Sequence, residues 1–418
     1  MRSKFFKKGI IYLLPIRDSL GVFLGNTPVR VGELFSALFC IPIVKTRKFV
    51  ISSKEGIMLL SLLINLLITV MGMSLNFDNI NVNFAFKYML RNVLNILLVW
   101  GFIVSGYTYT KDDVARLVKF TVCLQAFSFV VLYLFKHYWF MGSLLDLSYY
   151  RDAGVYISSF WVPRFVGTCS EPGYLAPILT FPLFFYLNRV LINNKMNEFK
   201  YLITCIIMVI FTFSAAVYVF TGIIAVYFVL SNIKHKRVIV SVLVALLFAF
   251  MFLFVIFSNP DIEDYVVNKT FGKVLAFVTL SEGYMASSSD RIQQLISCAE
   301  YVANSNGLQL LFGHGTGAYS LYASNLGGML SSAEEAYNIY LSTVADRGIL
   351  GLSCILVIVY TLAKMVTKND LYSETIFVGI VSQLLHWMIV GNFWLYYFWY
   401  EVVILLGYYK GEKHINIK

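Results

Sequence analysis

Residues 331–351 read SSAEEAYNIYLSTVADRGILG, and they close the only long polar segment, 259–337, of an otherwise apolar chain. From Arg347 onward the sequence is apolar for about 20 residues, the length that crosses the hydrocarbon of a bilayer. A 79-residue loop therefore hands over to a membrane span at this point. The 418-residue chain is 59% hydrophobic and 13% charged, against about 45–50% and about 25% in soluble domains. That much apolar surface cannot hide in the core of a water-facing globule, so the bilayer is the solvent. One polytopic domain over residues 1–418, an all-α membrane helix bundle, is the expected fold.

Apolar runs of spanning length occur at 56–75, 88–107, 114–135, 172–189, 238–258, 347–366, 374–391 and 393–409. The run 200–231 is too long for one span, and a weak polar break at Ser214 divides it in two. Runs 10–24 and 31–44 are short, and read as tilted, partly inserted or re-entrant. Together they predict about twelve transmembrane helices. Lys4, Lys7 and Lys8 precede the first run as in a secretory leader. However, Arg17 and Asp18 interrupt it and no small-residue cleavage site follows, so a retained helix is expected.

Lys and Arg set the orientation. Of the 33, 22 fall in short segments that lie on one side under this span assignment. The bias predicts both termini in the cytoplasm, with loops 136–171 and 259–337 on the outer face. It also accounts for the net charge of +10 by membrane lipids rather than nucleic acid. Within the larger loop, 289–303 places Ile292, Leu295, Ile296, Ala299 and Val302 on one helical face, with Ser288 or Ser289 able to cap it. Segment 264–280 is amphipathic enough to lie on the membrane surface. Six cysteines form no CxxC pair; Cys169 and Cys298, in the two long loops, are the two that could join in an oxidising compartment.

The polar residues of these loops carry the candidate chemistry. Arg164 either faces the mouth of the bundle, suited to a phosphate, or snorkels to lipid headgroups. Glu171, before Pro172, suits a helix N-terminus as well as it suits catalysis. Arg291 stands near a helix start, against the dipole, as it would beside a bound anion or simply in water next to Asp290. His314, in the turn LLFGHGTGAYS, reads as a base or as exposed polar surface. Gly313, Gly315 and Gly317 give that turn unusual dihedrals. Ser331 and Ser332 each precede a glutamate by three residues, so one of Glu334 and Glu335 belongs to a capping box and the other is left over. On a helix through this stretch Glu334, Asn338 and Leu341 share a face. The five histidines lie far apart without an HExxH spacing, so neither a metal nor any other cofactor is expected.

AYNIYLSTVADRGILGL (336–352) resembles the signature of the O-antigen ligase and polymerase superfamily. It has an asparagine (Asn338), an aromatic-leucine pair (Tyr340-Leu341), then a short helix and a Gly-Ile-x-Gly element (Gly348 to Gly351) leading into a span. Arg164 to Gly167 with Glu171-Pro172, and Asp290-Arg291 followed by the glycine turn, resemble the family's two arginine segments. Ligases of the family carry a histidine directly before the asparagine; here that residue is Tyr337, which favours the polymerase branch.

The resemblance implies a GT-C-like bundle in the bacterial plasma (inner) membrane that catalyses inverting glycosyl transfer on the outer face. The donor is an undecaprenyl-pyrophosphate-linked oligosaccharide, and a chain-length regulator and a flippase are implied partners. It implies Arg164 and Arg291 on the pyrophosphate and Glu334 or Glu335 as base. Glu171, His314, Tyr337 and Asn338 would line the substrate site, with Arg347 a third phosphate contact or a helix C-terminal charge. A ligase acting on a lipid core is the enzyme alternative. A lipid-linked oligosaccharide flippase is the non-enzyme one, against which the 79-residue loop and the lack of a visible repeat count.

Overall fold

The computed structural model describes residues 9, 11–16, 21–24, 27–30, 51–135, 156–157, 162–169, 172–243, 286–326, 336–389 and 396–416. The elements that carry the site are α1 (Ser53–Leu75), α2 (Val82–Ser105) and α3 (Lys111–Phe135), then α4 (Ala176–Leu187), α5 (Phe199–Phe211) and α6 (Ala215–Asn232). They continue with α7 (Ala286–Ala303), α8 (Gly307–Phe312), α9 (Ala318–Leu326), α10 (Ile339–Ala363), α11 (Leu371–His386) and α12 (Tyr396–Asn416). A 3-10 turn, Pro172–Leu175, leads into α4. Among the described residues, six helical segments are long and apolar enough to cross a membrane. The chain is a helical, multi-pass membrane protein.

The bundle is knitted by non-neighbours. α10 packs along α1, α11 along α4, and α12 between α11 and α2, while α5 and α6 flank α4. The long apolar faces of α1 and α6 stay outward, with Leu60, Leu67, Val226 and Leu230 exposed, as suits helices whose solvent is lipid. Polar side chains turn inward instead. Asn65, Asn95, Gln125 and Gln383 are all buried.

Several expectations hold. The 200–231 run divides where predicted, with Ser214 as the N-cap of α6 and Phe213 at φ 44° in the break. Pro172 opens its helical span, and 289–303 is helical within α7.

Others are corrected. Run 10–24 is not a helix throughout: Gly21–Leu24 is a strand paired antiparallel with Thr27–Arg30. The intervening Gly25-Asn26 is a two-residue hairpin signal that counting apolar residues overlooks. The apolar face of α7 is not its packed face. Gln294, Ser297 and Cys298 are buried, with Ile292, while Ile296 is 40% exposed and Ala299 is exposed. The small polar side of α7 is the one that packs on α9 and α10. The pairing of Cys169 with Cys298, left open by the sequence, is not made: the two are buried in separate clusters. Run 31–44 and segment 264–280 lie outside the described residues.

Candidate functional site

α10 begins at Ile339, and its N-cap is Asn338, whose Oδ1 accepts from Leu341 N at 3.0 Å. Ser331 and Ser332, the expected capping residues, lie outside the described residues. Residues 336–338 are not helical, so the face expected to join Glu334, Asn338 and Leu341 does not form; competition from asparagine, a strong N-cap residue, explains the later start. Glu171, Glu334 and Glu335 lie outside the described residues. Asn338 Nδ2 also donates to Met388 O at 3.2 Å, and Ile339 N to Trp387 O at 2.9 Å. The start of α10 is thus sewn to the end of α11.

Arg291 reaches the same place from α7. Its guanidinium carbon lies 4.9 Å from the centre of the Tyr337 ring, and it acts electrostatically on His386 at the end of α11. Because α7 starts at Ala286, Arg291 is past the first turn and the expected conflict with the helix dipole does not arise.

Arg164 approaches from the opposite loop. Phe165 N donates to Phe211 O at 2.8 Å, and Arg164 Nε and Nη2 donate to Thr212 O (3.4 Å) and Phe213 O (3.0 Å). A distant segment thereby serves the last carbonyls of α5, which a helix leaves unpaired. Thr168 anchors the segment, donating N–H to Gln125 Oε1 at 3.1 Å and accepting from Gln125 Nε2 at 2.7 Å. Ser214, next to Phe213, stands across from Gly173. A Cβ on Gly173 would lie 3.9 Å from Ser214 Oγ and 3.8 Å from His386 Nε2. Gly173, Ser214 and His386 therefore form the junction to which Arg164 and Arg291 come from two sides. His386 stands three residues after Gln383 in an apolar span.

His314 and Arg347 are not at this junction. His314 stacks near Tyr301, ring centres 4.3 Å apart, and Tyr301 is ten residues from Arg291, about 15 Å along the helix. His314 is buried rather than exposed, holds Ser305 Oγ at 2.6 Å through Nε2, and burial lowers its pKa. Burial, aided by the Asp346 carboxylate, pushes the Tyr301 phenol and the Cys298 thiol up. Arg347 is fully buried between helices: Nη1 donates to Asn65 Oδ1 at 2.6 Å, and the guanidinium lies 4.9 Å from the Tyr88 ring.

These two residues belong to a glycine clasp. His314 N donates to Ala345 O (2.8 Å) and Gly315 N to Asp346 O (3.1 Å). Gly313 at φ +81° and Gly348 at φ +65° bring the loop and the kink of α10 into backbone contact. A Cβ on Gly313 would meet Arg347 N at 2.2 Å, and one on Gly348 would meet Leu311 O at 2.2 Å. The glycine turn thus holds α10 at its kink.

Residues 201–356 match the family model described as O-antigen ligase. The match supports membership of the O-antigen ligase and polymerase superfamily. The matched segment takes in most of α5, all of α6 and α7, the clasp and more than half of α10. No curated protein matches the chain. With the membrane-length helices, the match supports a multi-pass bacterial membrane protein of glycan transfer.

Proposed function

We propose that the protein polymerises lipid-linked oligosaccharide repeat units for O-antigen or capsular polysaccharide, on the outer face of the bacterial plasma membrane with both termini cytoplasmic. The observation that carries this reading is the approach of Arg164 and Arg291, from loops far apart in sequence, to the one junction at Gly173, Ser214 and His386. Two guanidinium groups near one mouth suit a diphosphate leaving group.

In the proposed reaction a hydroxyl at the non-reducing end of the incoming repeat unit attacks the anomeric carbon of the growing glycan. The new C–O bond forms with inversion as the bond to undecaprenyl pyrophosphate breaks, and the lipid diphosphate leaves against the arginines. The hydroxyl proton passes to a carboxylate, Glu334 or Glu335, which precede Tyr337 by three and two residues. Glu171 is assigned to the substrate side through its neighbour Pro172. Asn338 and Tyr337 shape the site; His314 and Arg347 support it through the clasp. Glycan length on deletion-strain cells carrying variants tests the reading. Arg291→Ala or Arg164→Ala should leave single repeat units at normal protein levels. Full-length ladders would retire the assignment.

A ligase is the second reading, favoured by the description of the matched family. Tyr337, where the resemblance expects a histidine of ligases, supports the polymerase. Deletion that leaves lipid-linked polymer at full length but unattached to its outer lipid core would decide for the ligase.

A further inference from the structure

Gln383 and His386 stand about one turn apart on α11, so their side chains leave one face of the helix. They are 0% and 2% exposed. Gln383 Oε1 and Nε2 and His386 Nδ1 have no hydrogen-bond partner among the described residues. Buried polar atoms in native proteins are paired as a rule, and those inside a membrane bundle mark sites of function. Two such residues side by side call for a ligand that completes them.

Their surroundings define its chemistry. The His386 ring lies edge-on to Tyr174, centres 5.3 Å apart, and to Phe220 at 6.1 Å. Across from it stands Gly173, where an added Cβ would touch both His386 Nε2 and Ser214 Oγ at ordinary contact distance. Arg291, over the Tyr337 ring near the end of α11, lies within electrostatic reach of His386. A carboxamide and an imidazole both donate and accept, as a hydroxyl does, and the aromatic rings offer flat apolar faces for sugar C–H groups. A prenyl or acyl chain has no polar atom to meet these donors and acceptors. A phosphate would match the arginine but not the amide oxygen.

We propose that Gln383 and His386, the latter beside Gly173 and Ser214, form a subsite that binds the hydroxyls of the sugar ring next to the diphosphate. This rests on the glycan-transfer reading above and adds where the sugar itself is recognised.

The test uses the full chain in lipid nanodiscs and three probes: undecaprenyl phosphate, undecaprenyl pyrophosphate without sugar, and lipid-linked oligosaccharide extracted from the producing strain. The native protein should bind the glycosylated probe most tightly. Gln383→Leu and His386→Phe should each weaken that binding about tenfold while changing the bare pyrophosphate carrier less than about twofold. His386→Gln, which keeps a donor and an acceptor, should restore most of the loss. Gly173→Ala, whose Cβ makes only ordinary contacts, should weaken the glycosylated probe alone at an unchanged melting temperature. Equal losses for both pyrophosphate probes, or no loss for either, would overturn the subsite. If the native protein does not distinguish the glycosylated probe from undecaprenyl phosphate, the transfer reading fails first, and that outcome is separate from any variant.

Discussion

The Arg291 guanidinium rests 4.9 Å above the ring of Tyr337, one residue before the asparagine that caps α10. Charge from the large loop is thereby delivered to the start of a membrane helix, where the chain also meets the end of α11. The contact is a cation–π pair, whose strength is about 0.5–1 kcal/mol near a surface and about 2 kcal/mol when desolvated. Tyr337→Phe should keep glycan length near normal, because the ring face remains. Tyr337→Ala should slow repeat-unit incorporation about two- to thirtyfold, as measured by the rate of ladder extension in membranes.

The clasp should tolerate no side chain. On Gly348 a Cβ meets a backbone carbonyl carbon and oxygen of Leu311, neither of which can swing away, and the positive φ adds about 1 kcal/mol. Gly348→Ala and Gly313→Ala should each destabilise the protein by at least about 3 kcal/mol, seen as a large fall in melting temperature in detergent. Gly222, where an added Cβ meets nothing within 4 Å, is the control and should accept alanine with little change.

His314 makes the clasp sensitive to acid. Burial lowers its pKa in the folded state, so the unfolded chain binds the proton more readily. Stability is then complete above the unfolded value of about 6.5 and declines as pH falls from there towards the folded value. Thermal unfolding of the native protein should therefore lose stability below about pH 6.5 more steeply than that of His314→Gln. Parallel curves would show that another group is responsible.

Asn338 has two jobs that separate by substitution. Asn338→Asp keeps the oxygen that caps Leu341 N but loses the donor to Met388 O; Asn338→Ala loses both. The alanine variant should cost about 1 kcal/mol for the cap and about 1 kcal/mol more for the helix-helix bond, read as melting temperature. The aspartate variant should lie between it and the native chain.

The membrane class was legible because hydropathy acts over whole segments, and the break at Ser214 was legible because one polar residue interrupts a long run. Arg164 and Arg291 were legible as candidates, since an arginine beside a span needs a reason. Their partners were not. Arg164 reaches Phe213 across 49 positions and the clasp joins Gly313 to Gly348 through backbone atoms, which leave no periodic trace. The packed face of α7 was not legible because Ser297 and Cys298 are small and break the apolar pattern, yet they are buried on the side that meets α9 and α10. His386 gave no such signal, because an intramembrane histidine usually bonds a neighbouring helix, whereas among the described residues its Nδ1 has no such bond.

The most direct test of the central claim is a double-mutant cycle on binding of undecaprenyl pyrophosphate, with undecaprenyl phosphate as reference, to native, Arg164→Ala, Arg291→Ala and doubly substituted protein. If the two guanidinium groups hold one diphosphate, the native protein prefers the pyrophosphate at least about tenfold, each single variant loses most of that preference, and the double variant loses little more. Strictly additive losses, or a native protein indifferent to the second phosphate, would contradict it.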